Sequence, residues 1–319
     1  MIEVKNLTKR YGNHLAVDHL NFTVESGKIY GFLGPNGAGK STTMNIMTGY
    51  LGATEGQVLI DGHDILKEPE EAKKNIGYLP EIPPLYMEMT VREYLEFAAE
   101  LKGIKKDKRE PQIEEVIRLA KLRAVENRLI QNLSKGYKQR VGLAQAVLGF
   151  PEIIILDEPT VGLDPKQIIE IRELIRKLAK KHTVILSSHI LAEVREVCDY
   201  IMIISGGKLV ASDTTENLEN MMSGKGQIEV EAKAPRDEMD HIIRRTGKIK
   251  EVKYRTSASG ITTAQIIAKG GEDIREELFL AFSHADVPML TLNQSKTTLE
   301  EIFLELTQGS GNRMIKEGK

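Results

Sequence analysis

Residues Leu133–Pro165 read LSKGYKQRVGLAQAVLGFPEIIILDEPTVGLDP and form the most informative stretch of the chain. It opens with Ser134, a residue type that favours the N-cap of a helix, and the helix that follows points the positive end of its dipole outward. Four apolar residues, Ile153–Leu156, then predict a buried strand. A second helix start follows at Asp164 and Pro165, a cap and a first-turn proline. Strands that alternate with helices predict an α/β fold with a largely parallel sheet.

A glycine-rich loop stands far upstream, directly after the strand-like Tyr30–Leu33. It fits the pattern G-x-x-x-x-G-K-[ST] and precedes a predicted helix, which is the context in which such a loop binds phosphate. Its glycines let backbone N–H groups turn toward phosphate oxygens, Lys40 reaches the β- and γ-phosphates, and the Ser41 hydroxyl binds Mg²⁺. The loop consists of Gly34, Pro35, Asn36, Gly37, Ala38, Gly39, Lys40, Ser41 and Thr42. The sequence therefore predicts a site for a nucleoside triphosphate with Mg²⁺.

Two carboxylates end the apolar strand that precedes residue 157. Asp157 stands where an acidic residue holds Mg²⁺ through water, and Glu158 is the candidate that polarises the attacking water, its backbone stiffened by Pro159. His189 follows the next predicted strand, Thr183–Ser187, where a neutral imidazole can donate to the γ-phosphate. A lone histidine is more often structural, and a strand-end glutamate is often only solvated. The neighbouring motifs favour the catalytic interpretation for both residues.

Composition limits what the chain does. The 319 residues carry a formal net charge of −2, so no basic field would attract nucleic acid. The single cysteine, Cys198, excludes an intrachain disulfide and suits a reducing compartment. The N-terminal residues lack the apolar core of a signal peptide, and the apolar runs are far short of the ~20 residues that span a bilayer. We therefore expect a cytoplasmic chain whose membrane role requires a partner.

The order of strand and helix patterns predicts two domains. The first covers residues 1–222 and contains a helical stretch at about 82–148. A linker at Ser223–Gly226 precedes a second domain at 227–307, whose β-α-β-β-α-β order, with one extra helix, is that of a ferredoxin-like α+β domain. Residues 308–319 are polar and are predicted to form a flexible tail.

The combined motifs, over about Met1–Met222, resemble those of the ATP-binding cassette (ABC) ATPases. The resemblance implies a P-loop NTPase cassette with a helical subdomain and antiparallel β additions. The family's LSGGQ signature corresponds to Leu133–Tyr137, which implies that Ser134 and Gly136 bind the γ-phosphate of an ATP held by a second subunit. From the residues alone, this stretch is also a simple helix cap.

Two further positions gain a role from the same resemblance. Tyr11, in KRYGNHLAV, aligns with the aromatic residue that stacks on adenine. The segment Val161–Pro165 resembles the D-loop, which implies that Asp164 contacts the partner subunit, a role compatible with capping the next helix. From its residue type alone, Tyr11 is also a candidate core residue.

Three residues depart from the family pattern. Glu81, in GYLPEIPP, stands where a glutamine usually senses Mg²⁺ and the transporter, and its carboxylate can still ligate Mg²⁺ through water. Lys135 replaces a glycine of the signature and adds a cation near the sandwiched γ-phosphate, while Tyr137 replaces the glutamine. Because Ser134 and Gly136 remain, we expect hydrolysis to persist.

LSKGYKQRVGLAQA, LPE and the ending TLEEIFLELT resemble exporter ATPases of the drug-resistance, sodium-efflux and gliding-motility type. The resemblance implies an ATPase subunit that dimerises around two ATP molecules, as a homodimer or a pseudo-dimer with a second ATPase subunit. It would drive export through a separate membrane permease, from the inner face of the membrane and without nucleic acid. Two alternatives stay open: a soluble ABC ATPase that acts on DNA or ribosomes, and a regulator that only binds ATP.

Overall fold

The chain divides into two compact units, Met1–Thr214 and Thr215–Glu305. The computed structural model describes residues 1–218, 227–257 and 260–295, together with Phe303, Leu304 and Thr307. The division falls before the predicted boundary at residue 222. The predicted linker at 223–226, most of the extra helix before 307 and the predicted flexible tail at 308–319 lie outside the described residues.

An antiparallel sheet begins the first unit, with strand order β2-β1-β4-β5. Its strands are β1 (Ile2–Tyr11), β2 (His14–Val24), β4 (Glu55–Ile60) and β5 (His63–Asp64). The alternation of apolar and polar residues predicts only Ile2–Val4 of β1. It stops there because the strand register shifts between Val4 and Leu7. Asn6 has φ +48° at this irregularity. β1 continues to Tyr11 because β2 supplies hydrogen-bonding partners along its length.

The second sheet has the strand order β10-β9-β3-β8-β7-β6. In sheets of this kind, ligands bind at the carboxyl ends of the parallel strands. Its strands are β3 (Ile29–Leu33), β6 (Ile76–Leu79), β7 (Ile153–Leu156), β8 (Thr183–Ser188), β9 (Tyr200–Ser205) and β10 (Lys208–Thr214). All neighbours pair in parallel except β9 and β10. This confirms the predicted parallel sheet with antiparallel additions at the N-terminus and the edge.

Helices of the first unit begin at the caps that the sequence predicts. Thr90 forms a capping box with Glu93, Ser134 accepts a hydrogen bond from the Tyr137 N–H at 3.4 Å, and Asp164 accepts one from the Gln167 N–H at 3.0 Å. The helices are α1 (Lys40–Met47), α2 (Pro69–Lys74), α3 (Val91–Leu101), α4 (Lys106–Leu119), α5 (Lys135–Val147), α6 (Pro165–Ala179) and α7 (Leu191–Val197). The three caps therefore fix where α3, α5 and α6 start.

The main core of the first unit brings apolar residues of both sheets together around α1. Met44, Ile46 and Met47 of α1 are fully buried, and the Phe22 and Phe32 rings meet edge to face with centroids 5.2 Å apart. Apolar contact of this kind is the dominant favourable term in folding. It holds α1, and with it the loop that precedes α1, against the central sheet.

Gly77 marks the closest approach of α5 to β6. A Cβ atom at Gly77 would lie 2.1 Å from the Ala146 carbonyl oxygen, which is a backbone atom that cannot turn away. We expect Gly77→Ala to lower the free energy of unfolding by about 1–3 kcal/mol, the usual cost of overpacking. Gly52→Ala is the matched control, because a Cβ there meets nothing within 4 Å. Urea unfolding checks both variants, and equal midpoints would refute the close packing.

The strands and longer helices described in the second unit are β11 (Gln227–Ala232), α8 (Arg236–Arg244), β12 (Ile249–Thr256), β13 (Thr262–Ala268), α9 (Arg275–His284) and β14 (Met289–Ser295). Its antiparallel sheet has the order β12-β13-β11-β14, so the chain follows the β-α-β-β-α-β order expected of a ferredoxin-like domain. Ile228 and Val230 of β11 are buried in one core with Ile243 of α8 and Leu278 and Phe282 of α9. In the described part of the chain, no helix is long and apolar enough to cross a membrane.

Candidate functional site

The loop between β3 and α1 is built from glycines where other residues would not fit. Gly39, the N-cap of α1, has φ +103°, and a Cβ there would lie 2.5 Å from the Ala16 carbonyl oxygen. A Cβ at Gly34 would lie 2.4 Å from the Ile204 carbonyl oxygen. The loop therefore lies tightly against backbone carbonyls at both ends, where a side chain would not fit, and the φ of Gly39 is one that glycine adopts without strain. At the middle of the loop, Gly37 has φ +79° and faces open space.

Lys40 is buried at the start of α1, with only 6% of its surface exposed. Its Nζ donates to the Gly34 carbonyl at 2.8 Å and to the Pro35 carbonyl at 3.3 Å, and it lies 3.6 Å from Glu158 Oε1. A buried ammonium is costly unless it is paired and hydrogen-bonded. The loop and Glu158 together satisfy this charge and hold it beside the glycines.

Asp157 and Ser41 meet at the carboxyl end of β7. Ser41 Oγ donates to Asp157 Oδ1 at 3.2 Å, and the Ser187 hydroxyl at the end of β8 donates to the same oxygen. The Asp157 N–H also donates to the Leu79 carbonyl at 2.8 Å, which ties the residue to β6. Asp157 is thus an oriented, buried carboxylate in contact with the predicted Mg²⁺-binding hydroxyl.

Glu158 is held in an unusual backbone conformation, with φ +46°. A non-glycine residue seldom adopts this left-handed region, and it persists only where surrounding contacts fix it. Here the Glu158 N–H donates to Ser187 Oγ at 2.9 Å, and the carboxylate lies 3.0 Å from His189 Nδ1. Glu158 is buried, whereas 39% of the His189 side chain is exposed. The structure therefore brings the two predicted catalytic side chains into direct contact.

A cavity of about 560 Å³ opens over the glycine-rich loop. Tyr11, Lys40, Glu81, Glu158 and His189 are among its lining residues. Tyr11 is 48% exposed and its ring lies under the Lys9 ammonium, so it is not the packed core residue that its type alone allows. The cavity brings the predicted catalytic pair together with most of the predicted loop, namely Asn36, Gly37, Gly39, Lys40, Ser41 and Thr42, whereas Gly34, Pro35 and Ala38 do not line it.

Ser134, Gly136 and Asp164 do not line this cavity. They lie together elsewhere, since a Cβ at Gly136 would meet the Gln167 side chain at 2.5 Å, and Asp164 caps the helix that carries Gln167. The Lys135 ammonium lies against Gly162, where an added Cβ would be 2.2 Å from Nζ. The unusual lysine of the signature segment thus contacts the Val161–Pro165 loop of its own chain.

One residue that organises the site, Ser187, was not predicted from the sequence. Ser187 joins Asp157 to the backbone of Glu158, and its hydroxyl is fully buried among these groups. Its position at the end of β8, two residues before His189, is the only signal that could have pointed to it. The described residues contain no cluster of three or more His, Cys, Asp or Glu side chains that would enclose a metal by themselves.

Comparison with known proteins identifies the family of the chain. A family model described as ABC transporter matches residues 17–161. The bacitracin transport ATP-binding protein BcrA of Bacillus licheniformis is 43% identical over 221 residues, which cover 69% of this chain and 71% of that protein. The linearmycin resistance ATP-binding protein LnrL of Bacillus subtilis is 31% identical over 308 residues, which cover 96% of this chain and 98% of that protein.

Solved structures resemble about two thirds of the chain in fold. An ATP-binding subunit of an ABC transporter has a TM-score of 0.64 and 32% identity, over 69% of this chain and 92% of that one. A dimeric ATP-binding cassette in a post-hydrolysis state, bound to ADP and Pi, has a TM-score of 0.61 and 28% identity, over 67% of this chain and 98% of that one. The chain therefore belongs to the ABC transporter family, as one of its ATP-binding, ATP-hydrolysing subunits.

Proposed function

We propose that this chain works as a dimer that encloses two ATP molecules and powers export through a separate membrane permease. The observation that carries the proposal is the contact of Glu158 with both Lys40 and His189 at the mouth of the glycine-rich loop. Three groups converge there: the Lys40 cation that would bind phosphate, the candidate base Glu158, and His189 as a candidate hydrogen-bond donor to the γ-phosphate. Measuring phosphate release by the purified chain, with and without permease-containing membranes, tests the proposal.

Ser41 and Asp157 fit a magnesium ion. Both offer hard oxygen donors, and they lie 3.2 Å apart beside the loop. Mg²⁺ in nucleotide sites takes few protein ligands and fills the rest of its shell with water and phosphate oxygens, so a closed cage of side chains is not needed. When bound, the ion neutralises charge on the β- and γ-phosphates. Glu81, which lines the same cavity, would reach it through water.

The hydrolytic step depends on how Glu158 is held. Its carboxylate orients the attacking water and accepts its proton, and this needs a fixed direction. Ser187 fixes the backbone of Glu158, and Lys40 and His189 contact its two carboxylate oxygens. The exposed His189 ring then faces the cavity, from which it contacts the γ-phosphate. The intact pair argues against a regulator that only binds ATP.

A second copy completes each site in this proposal. Ser134 and Gly136 stand at the N-terminus of α5, where free N–H groups and the helix dipole favour an anion, yet they do not line their own chain's cavity. They would bind the γ-phosphate held by Lys40 of the other copy, with Asp164 contacting that copy. Tyr11 would stack on adenine, since its ring is half exposed at the cavity wall. The similar cassette solved as a dimer supports this arrangement.

An apolar groove beside α3 supports a docking site for the permease. It has a volume of about 510 Å³ and includes Leu85, Tyr86 and Phe97. A neighbouring cavity of about 640 Å³ is lined by Ile82 and Glu81 and also by Asp157. Burial raises the pKa of Tyr78 in this cavity, so its hydroxyl stays protonated and donates to Asn45 Oδ1 at 2.9 Å. Glu81 thus stands between the groove and the Mg²⁺-binding residues.

We infer export rather than import because two relatives are named for bacitracin transport and linearmycin resistance. In this proposal the chain lies on the inner face of the membrane, attached through the permease. Nucleic acid is not a partner, since the formal net charge of −2 provides no attraction for it. A soluble ABC ATPase with a role at DNA or ribosomes is the alternative, and it predicts equal activity with and without membranes.

We expect Ile82→Asp to reduce co-sedimentation of the chain with permease-containing membranes by about tenfold, since a buried carboxylate in an apolar contact costs at least 1–3 kcal/mol. Because Ile82 is 82% exposed, the substitution should not destabilise the fold of the chain. Leu66→Asp, at a side chain that is 50% exposed and lies outside the groove, is the matched control. The basal ATPase rate should stay within about twofold in both variants. Undiminished binding of Ile82→Asp would exclude the neighbouring cavity, which Ile82 lines, as part of the docking site.

A further inference from the structure

Glu193 is a buried carboxylate outside the residues so far assigned to the reaction. It lies in the first turn of α7 with 6% of its surface exposed. Its Oε2 accepts hydrogen bonds from the Thr160 hydroxyl and from Ser188 Oγ, the latter at 3.1 Å. A carboxylate removed from water is costly unless such donors satisfy it. The two hydroxyl donors thus explain how this charge is accommodated, but not why it is there.

The two hydroxyls belong to the segments that carry the catalytic pair. Thr160 follows Glu158 by two residues, and Ser188 directly precedes His189. One carboxylate oxygen therefore joins the chain just after Glu158 to the chain just before His189. This bridge therefore joins the two segments whose side chains, Glu158 and His189, meet at 3.0 Å.

The bridge also acts on backbone that needs support. Glu158 has φ +46°, a conformation that surrounding contacts must maintain. Ser187 holds the backbone at Glu158 by accepting a hydrogen bond from the Glu158 N–H. The Thr160–Glu193 hydrogen bond holds the chain two residues after Glu158. Ser188 Oγ, besides donating to Glu193, accepts from the Ile190 N–H at 3.0 Å and so shapes the turn that presents His189.

An ordinary helix-capping role does not account for these contacts. An acidic residue in the first turn of a helix stabilises the helix through its dipole, and in a capping box it would bond the N-cap backbone. The described N-cap of α7, Ile190, receives no side-chain hydrogen bond of this kind. Instead, the carboxylate reaches Thr160, which lies 33 positions away in sequence.

We propose that Glu193 is a positioning residue for ATP hydrolysis, which sets the relative placement of Glu158 and His189 through Thr160 and Ser188. The inference rests on the proposed function of Glu158 and His189. It predicts that loss of the bridge lowers kcat and leaves the KM for ATP unchanged, because the loop residues that bind the phosphates are not involved. Displacements of about 1 Å in reacting groups cost up to about 100-fold in rate.

The test compares two variants of Thr160 in the chain of 319 residues. Thr160→Val keeps the shape but removes the hydroxyl, and we expect kcat to fall about tenfold or more with KM within about twofold. Thr160→Ser keeps the hydroxyl and removes a methyl group, and we expect kcat within about twofold of the wild type. A purely packing role for this residue predicts the reverse order. Glu193→Gln should lower kcat in the same manner as Thr160→Val.

Two controls separate the outcomes. Glu196→Gln, at an exposed acid on the same helix that pairs with Arg172, should leave kcat unchanged. Melting temperatures of all variants, measured in parallel, identify any loss of folded protein. If Thr160→Val and Glu193→Gln keep the wild-type kcat while Glu158→Gln loses activity, the bridge has no positioning role. If Glu158→Gln itself hydrolyses ATP at the wild-type rate, the proposed function fails instead.

Discussion

Glu158→Gln is expected to lower kcat for ATP hydrolysis by about 10²–10⁴-fold, the range that a positioned general base contributes. The amide keeps the size of the side chain, and the Glu158 N–H still donates to Ser187 Oγ, but the amide cannot accept a proton from water. The KM for ATP should change little, because Lys40 and the glycine-rich loop remain. Steady-state phosphate release by the purified chain measures both quantities.

The control for this variant lies at the other end of the same strand. Glu152 is an exposed acid directly before β7, so Glu152→Gln removes one negative charge without touching the cavity. It should hydrolyse ATP at the wild-type rate. A Glu158→Gln variant as active as the wild type would show that another group activates the water.

Lys40→Met is expected to weaken ATP binding by about 30-fold or more. Removing one partner of a buried, hydrogen-bonded charge pair costs roughly 2–5 kcal/mol, and each 1.4 kcal/mol is a factor of ten in affinity. Methionine preserves most of the apolar stem but offers no donor to the phosphates. In the structure, the Lys40 ammonium is already held beside the loop by the Gly34 and Pro35 carbonyls, so it needs little reorganisation to bind.

Isothermal titration with ATP and Mg²⁺ measures this loss directly. Lys74→Met serves as the control, because Lys74 is an exposed lysine of α2 whose partner is Glu71. Its affinity for ATP should equal that of the wild type. Equal affinities for Lys40→Met and the wild type would mean that the glycine-rich loop does not hold the phosphates through this residue.

Local signals predicted the elements that carry the site. The apolar run Ile153–Leu156 is β7 with the same bounds, and the caps at Ser134 and Asp164 begin α5 and α6. These features depend on neighbours within a few residues, so the sequence displays them directly. The glycines at 34 and 39 were also identified, because the loop pattern demands them at fixed spacing.

Other features depend on residues far apart in sequence, and no local pattern reveals them. β1 extends to Tyr11 because β2 pairs with it as far as Tyr11 and His14, whereas the pairing with β4 ends at Thr8. The positive φ of Glu158 is stabilised by Ser187, which lies 29 positions away. The contact of Lys135 with Gly162 likewise requires the packing of α5 beside the start of α6. The residue types at the site were predictable, whereas the contacts that orient them were not.

The particle mass of the Glu158→Gln variant with ATP bound tests the shared site most directly. Light scattering after size exclusion, combined with nucleotide analysis, gives the mass and the ATP content of the trapped species. Two copies that enclose two ATP molecules predict twice the 35.7 kDa mass of the chain and one unhydrolysed ATP per chain. A stable particle of 35.7 kDa that retains ATP would contradict a site completed by a second copy.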